Sequence, residues 1–264
     1  MKFLLALAAI VGGVFLTGCG GSGGAAAPGT LRVVMADAPL PNVTAVDITI
    51  SGVQAHVDGE WVDLATAPQT VNLLDLTKDP IAIGSADLPP GTYTQIRLFL
   101  SSATVTDDTG THTVNIGSVD QTGIKLNVNY TVNSGELTEV LLDFNVAKSL
   151  ILEGNGQYRL QPVIPAVVRV ISGTISGTVA DANGPVQGAE VVAIYKEGSN
   201  YPVDTEVNST VSLEDGTFKI WALLPGTYQL QAEHLSGDTT LTATVDGVQV
   251  TAGQDTAVGT IVVQ

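Results

Sequence analysis

Three histidines, one cysteine and 26 carboxylates are the residues of this 264-residue chain that could do chemistry. A hydrolytic metal centre needs two or three imidazole or carboxylate ligands held on one face. His56, His112 and His234 lie far apart, and none stands in H-x-x-E or H-E-x-x-H spacing. Each reads as a surface residue of a strand, so neither a metal nor a cofactor is expected. A Ser/His/Asp triad is defined by geometry and not by chain order, so the sequence leaves a hydrolase open as a third reading. The nucleophile-elbow string around Ser22, Gly20 to Gly24, has neither the strand before it nor the helix after it that such a turn requires. Asp107-Asp108 and Asp75/Asp79 lie in turn-rich stretches that could offer oxygens to calcium, but no loop of alternating Asp/Asn closing on Gly is present. These acids read as solvating groups at hairpin ends. Trp221 is the aromatic of most interest. With Phe218, Ile220 and Ala222 on one face of a strand, it falls with Thr217 and Lys219 on the other. Exposed, its ring would be a stacking platform for a sugar. The expected arrangement is burial at the sandwich rim or against the first domain, with the indole N–H on a carbonyl.

The cysteine carries the most specific signal. After Lys2, Phe3 to Leu16 is an apolar run of the length of a signal peptide's core, too short to cross ~30 Å of hydrocarbon. It ends Leu16-Thr17-Gly18-Cys19, which resembles the bacterial lipobox. The resemblance implies cleavage between Gly18 and Cys19 and lipidation of the Cys19 thiol. With Gly20 and not Asp after the cysteine, it favours the outer membrane. Residues 20–30, GGSGGAAAPGT, read as a flexible tether. At ~5–6 Å × √n, about eleven residues reach roughly 18 Å.

The elements that must position any site are strands. Gly (29) and Pro (12) are plentiful, and Thr and Val recur. Val46, Ile48 and Ile50 alternate with polar residues, as do Leu126, Val128 and Tyr130, and Tyr228, Leu230 and Ala232. Period two with one dry face describes strands of a sandwich. Asp58-Gly59, Asp108-Thr109-Gly110, Asn183-Gly184 and Asp215-Gly216 mark turns. One helical turn is expected near Asn145–Leu150. Residues 157–170, QYRLQPVIPAVVRV, read as a terminal strand bent by two prolines, and a boundary follows at Ile171-Ser172. Pro90-Gly91-Thr92-Tyr93 and Pro225-Gly226-Thr227-Tyr228 share turn chemistry, expected as type II turns.

Hydrophobic residues make up 44% of the chain, and 10 basic residues stand against 26 acidic for a net charge of −16. That is enough apolar material for packed cores, and it excludes a cationic surface for nucleic acid. A single Cys excludes a disulfide framework. The N-x-T strings at Asn42, Asn129 and Asn208 read as coincidence in a Thr-rich chain.

LRVVMADAP, VTAVDITISGVQAH, DLPPGTYTQIRL, LLDFNVAKSL and GNGQYRLQPVI resemble a bacterial lipoprotein domain of unknown function, number 4382. That family carries no accepted activity. GTVADANGPVQGAEVVAI and DGTFKIWALLPGTYQLQAE resemble the carboxypeptidase regulatory-like module, which implies a transthyretin-like sandwich accessory to something else. Related sandwiches that bind starch keep sugar binding in view. The first strand of this module, SGTISGTV, has no Lys and the last, TIVVQ, no Asn, so a Lys–Asn isopeptide staple is not expected there.

The expectation is an all-β chain. A signal peptide (1–18) and a lipidated tether (19–30) precede two antiparallel β-sandwich domains in tandem (31–170 and 171–264). Its role is that of a non-enzymatic envelope scaffold on a lipid anchor, with an envelope protein or polysaccharide as partner. A carbohydrate-binding module is the alternative.

Overall fold

The computed structural model describes residues 26–37, 39–65, 67–77 and 79–264. The lipobox, with Gly18 and Cys19, and the Ser22 string lie outside them. Alternation does fold into strands. Sheet I has the order Ala166–Val168, Leu137–Phe144, Gly29–Asp37, Ile81–Leu88. Sheet II has the order Leu150–Leu152, Tyr158–Leu160, Gly110–Asn115, Gly91–Asp107, Val43–Val57, Glu60–Ala65. In it Gln69–Asn72 also pairs with Val43–Val57, and Ile124–Val132 with Gly91–Asp107. The dry faces of the two sheets enclose one core that includes Leu31, Met35, Ile48, Leu98, Tyr93 and Phe144.

Sheet III places Gly173–Asp181 between Thr217–Leu223 and the short Gly184–Pro185, with Asp255–Val262 also on it. Sheet IV has the order Thr205–Val211, Glu190–Glu197, Gly226–Ser236, Thr239–Val250. They enclose a second core around Ile175, Tyr195, Ile220, Tyr228 and Leu230. The fold is therefore two β-sandwiches in tandem. Pairing is antiparallel except at three places: Gly29–Asp37 with Leu137–Phe144, Gly110–Asn115 with Tyr158–Leu160, and Gly173–Asp181 with Asp255–Val262.

Several local expectations are revised. The first strand begins at Gly29, inside the stretch read as tether. A Cβ on Gly29 would come within 2.0 Å of the Asn133 carbonyl oxygen, so only glycine fits this close approach. The stretch read as one bent strand is two. Tyr158–Leu160 joins sheet II and Ala166–Val168 joins sheet I, because Pro162 and Pro165 withhold ladder donors and the chain crosses between the layers there. The Pro-Gly pairs form no type II turn: Gly91 is absent from the positive-φ set, and Gly226, at 158°, is near extended. What the two repeats share is a tyrosine clasp. The Tyr93 hydroxyl donates to the Pro89 carbonyl (3.0 Å) and the Tyr228 hydroxyl to the Leu224 carbonyl (2.7 Å). Each ring is fully buried in its own core. The helical turn lies at Val146–Ser149, capped by Asn145, whose side chain accepts from the Lys148 N–H. A second helical turn, Val119–Thr122, had no signal in the sequence.

Candidate functional site: the seam between the sandwiches

Strand alternation gives sheet I a second face, opposite the core. Along it stand Arg32, Val34 and Ala36 from Gly29–Asp37, and Glu139, Leu141 and Asp143 from Leu137–Phe144. The face runs from charged, through apolar, to a single carboxylate. The second sandwich covers it. Val34, Ala36, Leu141 and Val167 pack with Trp221 and Ala222 in a small cluster separate from both main cores.

A backbone irregularity makes this contact. The register between Gly173–Asp181 and Thr217–Leu223 slips: Ile175 faces Ile220 but Gly173 faces Leu223. One extra residue is absorbed in a bulge, and Ala222 takes φ 58°, an uncommon conformation for a non-glycine. Consequently Ala222 leaves the face it was expected to share with Phe218 and Ile220. It turns with Trp221 toward the first sandwich, and Leu223 returns to the core.

Trp221 is 6% exposed and packed against the first domain, as expected. The expected bond from its indole is not formed: Nε1 is buried without a partner. Its backbone carbonyl is the group that is bonded, accepting from Nδ2 of Asn208 at 3.0 Å.

Beyond the apolar patch the seam is polar. Asn208 Nδ2 also donates across the seam to Asp143 Oδ2 at 2.6 Å. Asn145 Nδ2 donates to the Ser209 carbonyl at 2.9 Å. At the rim Lys148 pairs with Glu206 and, at 3.5 Å, with Glu190. Burial pushes the Asp143 carboxyl up to about 6, with the Asn208 bond acting in the opposite direction. The N-x-T string at Asn208 is thus buried and fastens the seam.

The three candidate platform residues do lie along one interdomain groove. Thr217 and Lys219 line a cleft of about 200 Å³ with Pro39 and Thr77. Lys219 and Trp221 line an adjoining cleft of about 270 Å³ with Asp79, Arg169 and Asp255. Each is already engaged. Thr217 Oγ1 donates to Asp215 (2.5 Å), and Lys219 Nζ stands 4.3 Å from the Trp221 ring centre. No broad aromatic face is open for stacking at Trp221.

The other candidates are dispersed. His56 bonds Thr94 and lies against Trp61, while His234 stands on Gly226–Ser236 in the second sandwich. His112 meets Asp107, Thr109 and Tyr158. Asp107 (3.1 Å) and Thr109 (2.8 Å) both address Nε2 of His112. A catalytic relay needs the acid on one ring nitrogen and the nucleophile on the other, so this cluster is a clasp of the hairpin. Bonds from Thr109, Tyr158 and His112 occupy both Asp107 oxygens and hold its carboxyl well below the usual range. Among the described residues no group of three His, Cys, Asp or Glu is placed to hold a metal ion, and no helix is long and apolar enough to cross a membrane.

The model of the domain of unknown function DUF4382 matches residues 28–162. The chain belongs to the DUF4382 family. Behind this domain, residues 174–264 match the carboxypeptidase regulatory-like domain. The two matches meet at the seam, with Asp143 in the first and Asn208 in the second. No curated protein matches the chain in sequence. Among solved structures it is similar to the major pilin subunit BcpA of Bacillus cereus, at 15% identity over 90% of this chain and 70% of the pilin, with a TM-score of 0.26. Others are the Bacillus anthracis TIE protein (14%, 90% and 34%, 0.24) and a double mutant of the shaft pilin SpaA of Lactobacillus rhamnosus GG (10%, 90% and 97%, 0.24).

Proposed function

We propose that this chain is a lipid-anchored, non-enzymatic scaffold of a bacterial envelope, held on the outer membrane through Cys19. Its two sandwiches work as one rigid body that presents its loops and edges to an envelope protein or polysaccharide. The observation that carries the reading is the seam. The aromatic ring best suited to a ligand is instead packed against the first domain, and buried hydrogen bonds from Asn145 and Asn208 fasten the two domains side by side. The Leu16-Thr17-Gly18-Cys19 string supports the anchor, since two or more acyl chains hold a protein stably where one does not. A Cys19→Ser variant should leave the membrane fraction after a high-salt wash. Retention there would refute the anchor.

A carbohydrate-binding reading keeps one observation in its favour: Thr217, Lys219 and Trp221 all line the interdomain groove. It requires Trp221 emission to shift to the blue on adding an envelope polysaccharide. The scaffold reading requires no change.

A further inference from the structure

Among the described residues, Asp143 is the one ionisable group buried within the seam proper. It is 1% exposed. Its Oδ2 accepts from Asn208, while its Oδ1 is buried and meets no hydrogen-bond donor. The charged groups on the elements packed around it are engaged elsewhere. Arg32 and Arg169 both pair with Glu139. Lys148 is held by Glu190 and Glu206. Lys219 lies over the Trp221 ring. Asp37, on the neighbouring strand, accepts from the Val146 N–H, and alternation places it on the core face of sheet I, opposite Asp143. Among the described residues no cation forms an ion pair with Asp143.

A buried carboxylate with one donor and no counter-charge is better accommodated as the neutral acid. Separating the sandwiches returns the same group to water, where it ionises near pH 4. We propose that the seam is a pH-sensitive clasp, tightest when Asp143 carries a proton and weaker when Asp143 ionises, so that the two sandwiches are held together more firmly in acid than near neutrality. The inference rests on the seam alone and is independent of the lipid anchor.

The sign follows from linkage. The docked carboxyl is raised to about 6, whereas the undocked one titrates near 4. Below about pH 4 both forms hold the proton and the clasp has its full strength. Between about pH 4 and 6 the undocked form has lost its proton first, so docking weakens as pH rises. Above about 6 both forms are ionised and the weakening levels off. A separation of about two pH units amounts to about a 100-fold change in the docking equilibrium.

The test follows exchange of the Trp221 indole proton by NMR in the full-length chain in detergent micelles, with Trp61→Phe leaving Trp221 as the sole indole. The proton has no hydrogen-bond partner and is shielded by burial in the seam, so its exchange reports opening. After correction for the intrinsic rate, the opening constant should be about 50-fold larger at pH 7 than at pH 4, since the undocked carboxyl is already half ionised at pH 4. In Asp143→Asn, which carries no titrating group there, it should not vary with pH. A change of less than about threefold in the parent chain would overturn the clasp, as would a full change that persists in Asp143→Asn. Should that variant fail to fold, ¹³C titration of the Asp143 carboxyl in the parent chain decides. A midpoint near 6 sustains the proposal and one below about 5 overturns it.

Discussion

Replacing Trp221 by alanine should undock the two sandwiches without unfolding either. An aromatic side chain of this size buries roughly 200 Å², worth about 5 kcal/mol at ~25 cal/mol per Å². The indole N–H is buried without an acceptor, which offsets about 1–3 kcal/mol of that gain. The net loss for Trp221→Ala is therefore about 2–4 kcal/mol. It falls on the seam, because Trp221 belongs to the cluster with Val34, Leu141 and Val167 and not to the core around Ile220 and Tyr228. Trp221→Phe is the sharper test. It keeps most of the apolar contact and removes the unpaired donor, so it should stay within about 1 kcal/mol of the parent. Scanning calorimetry of the full-length chain should show coupled unfolding in the parent and in Trp221→Phe, and two separated transitions in Trp221→Ala. A Trp221→Ala chain that still melts as one unit, with a loss below about 1 kcal/mol, would refute the packing argument. A Trp221→Phe chain as damaged as Trp221→Ala would show instead that the indole N–H makes a bond.

Asn208→Ala should destabilise the seam by about 2–4 kcal/mol, since it leaves Asp143 and the Trp221 carbonyl both buried without their donor. Denaturant unfolding should find that loss larger at pH 7 than at pH 4, where the carboxyl is protonated. Tyr93→Phe and Tyr228→Phe should each lower stability by about 1 kcal/mol, and additively, because the two clasps lie in separate cores. Ala222→Val places a β-branched residue at φ 58°, and a loss above about 2 kcal/mol in thermal unfolding is expected. An unchanged melting temperature would show that the bulge does not require that conformation.

The strands were legible because each carries a period-two face. Tyr228, Leu230 and Ala232 are buried in the pattern their spacing predicts, and Gln231 and Glu233 are exposed. The helical turn at Val146–Ser149 was legible through its cap, Asn145. The crossing at Pro162 and Pro165 was half legible: the prolines marked a break, but which sheet each piece joins depends on partners far along the chain. The spacing places Trp221 on the correct side of its strand, but not Ala222. A bulge adds a residue to one strand only, and nothing in Phe218–Leu223 marks where the period slips.

Of the seam, the sequence points to the packing of Trp221 but not to its polar part, although one signal for that is present. Leu141-Leu142-Asp143-Phe144 sets an acid inside an apolar run, with Val140 before it. In an ordinary half-wet strand Asp143 would mark the solvent face. Here residues on both faces are buried, which happens when a sheet is covered on both sides. An acid in such a strand must therefore face a second layer that supplies a donor. In this chain the donor is Asn208, 65 residues away in the other sandwich, in a triplet that by sequence resembles a glycosylation acceptor. The continuous burial of Val140–Phe144 and the burial of Asn208 are thus two views of one event, the docking of the second sandwich on the outer face of the first. A first domain standing alone would expose Val34, Leu141 and Val167 on that face and return the Asp143 carboxylate to water. The same strand would then show the alternation that the full chain hides.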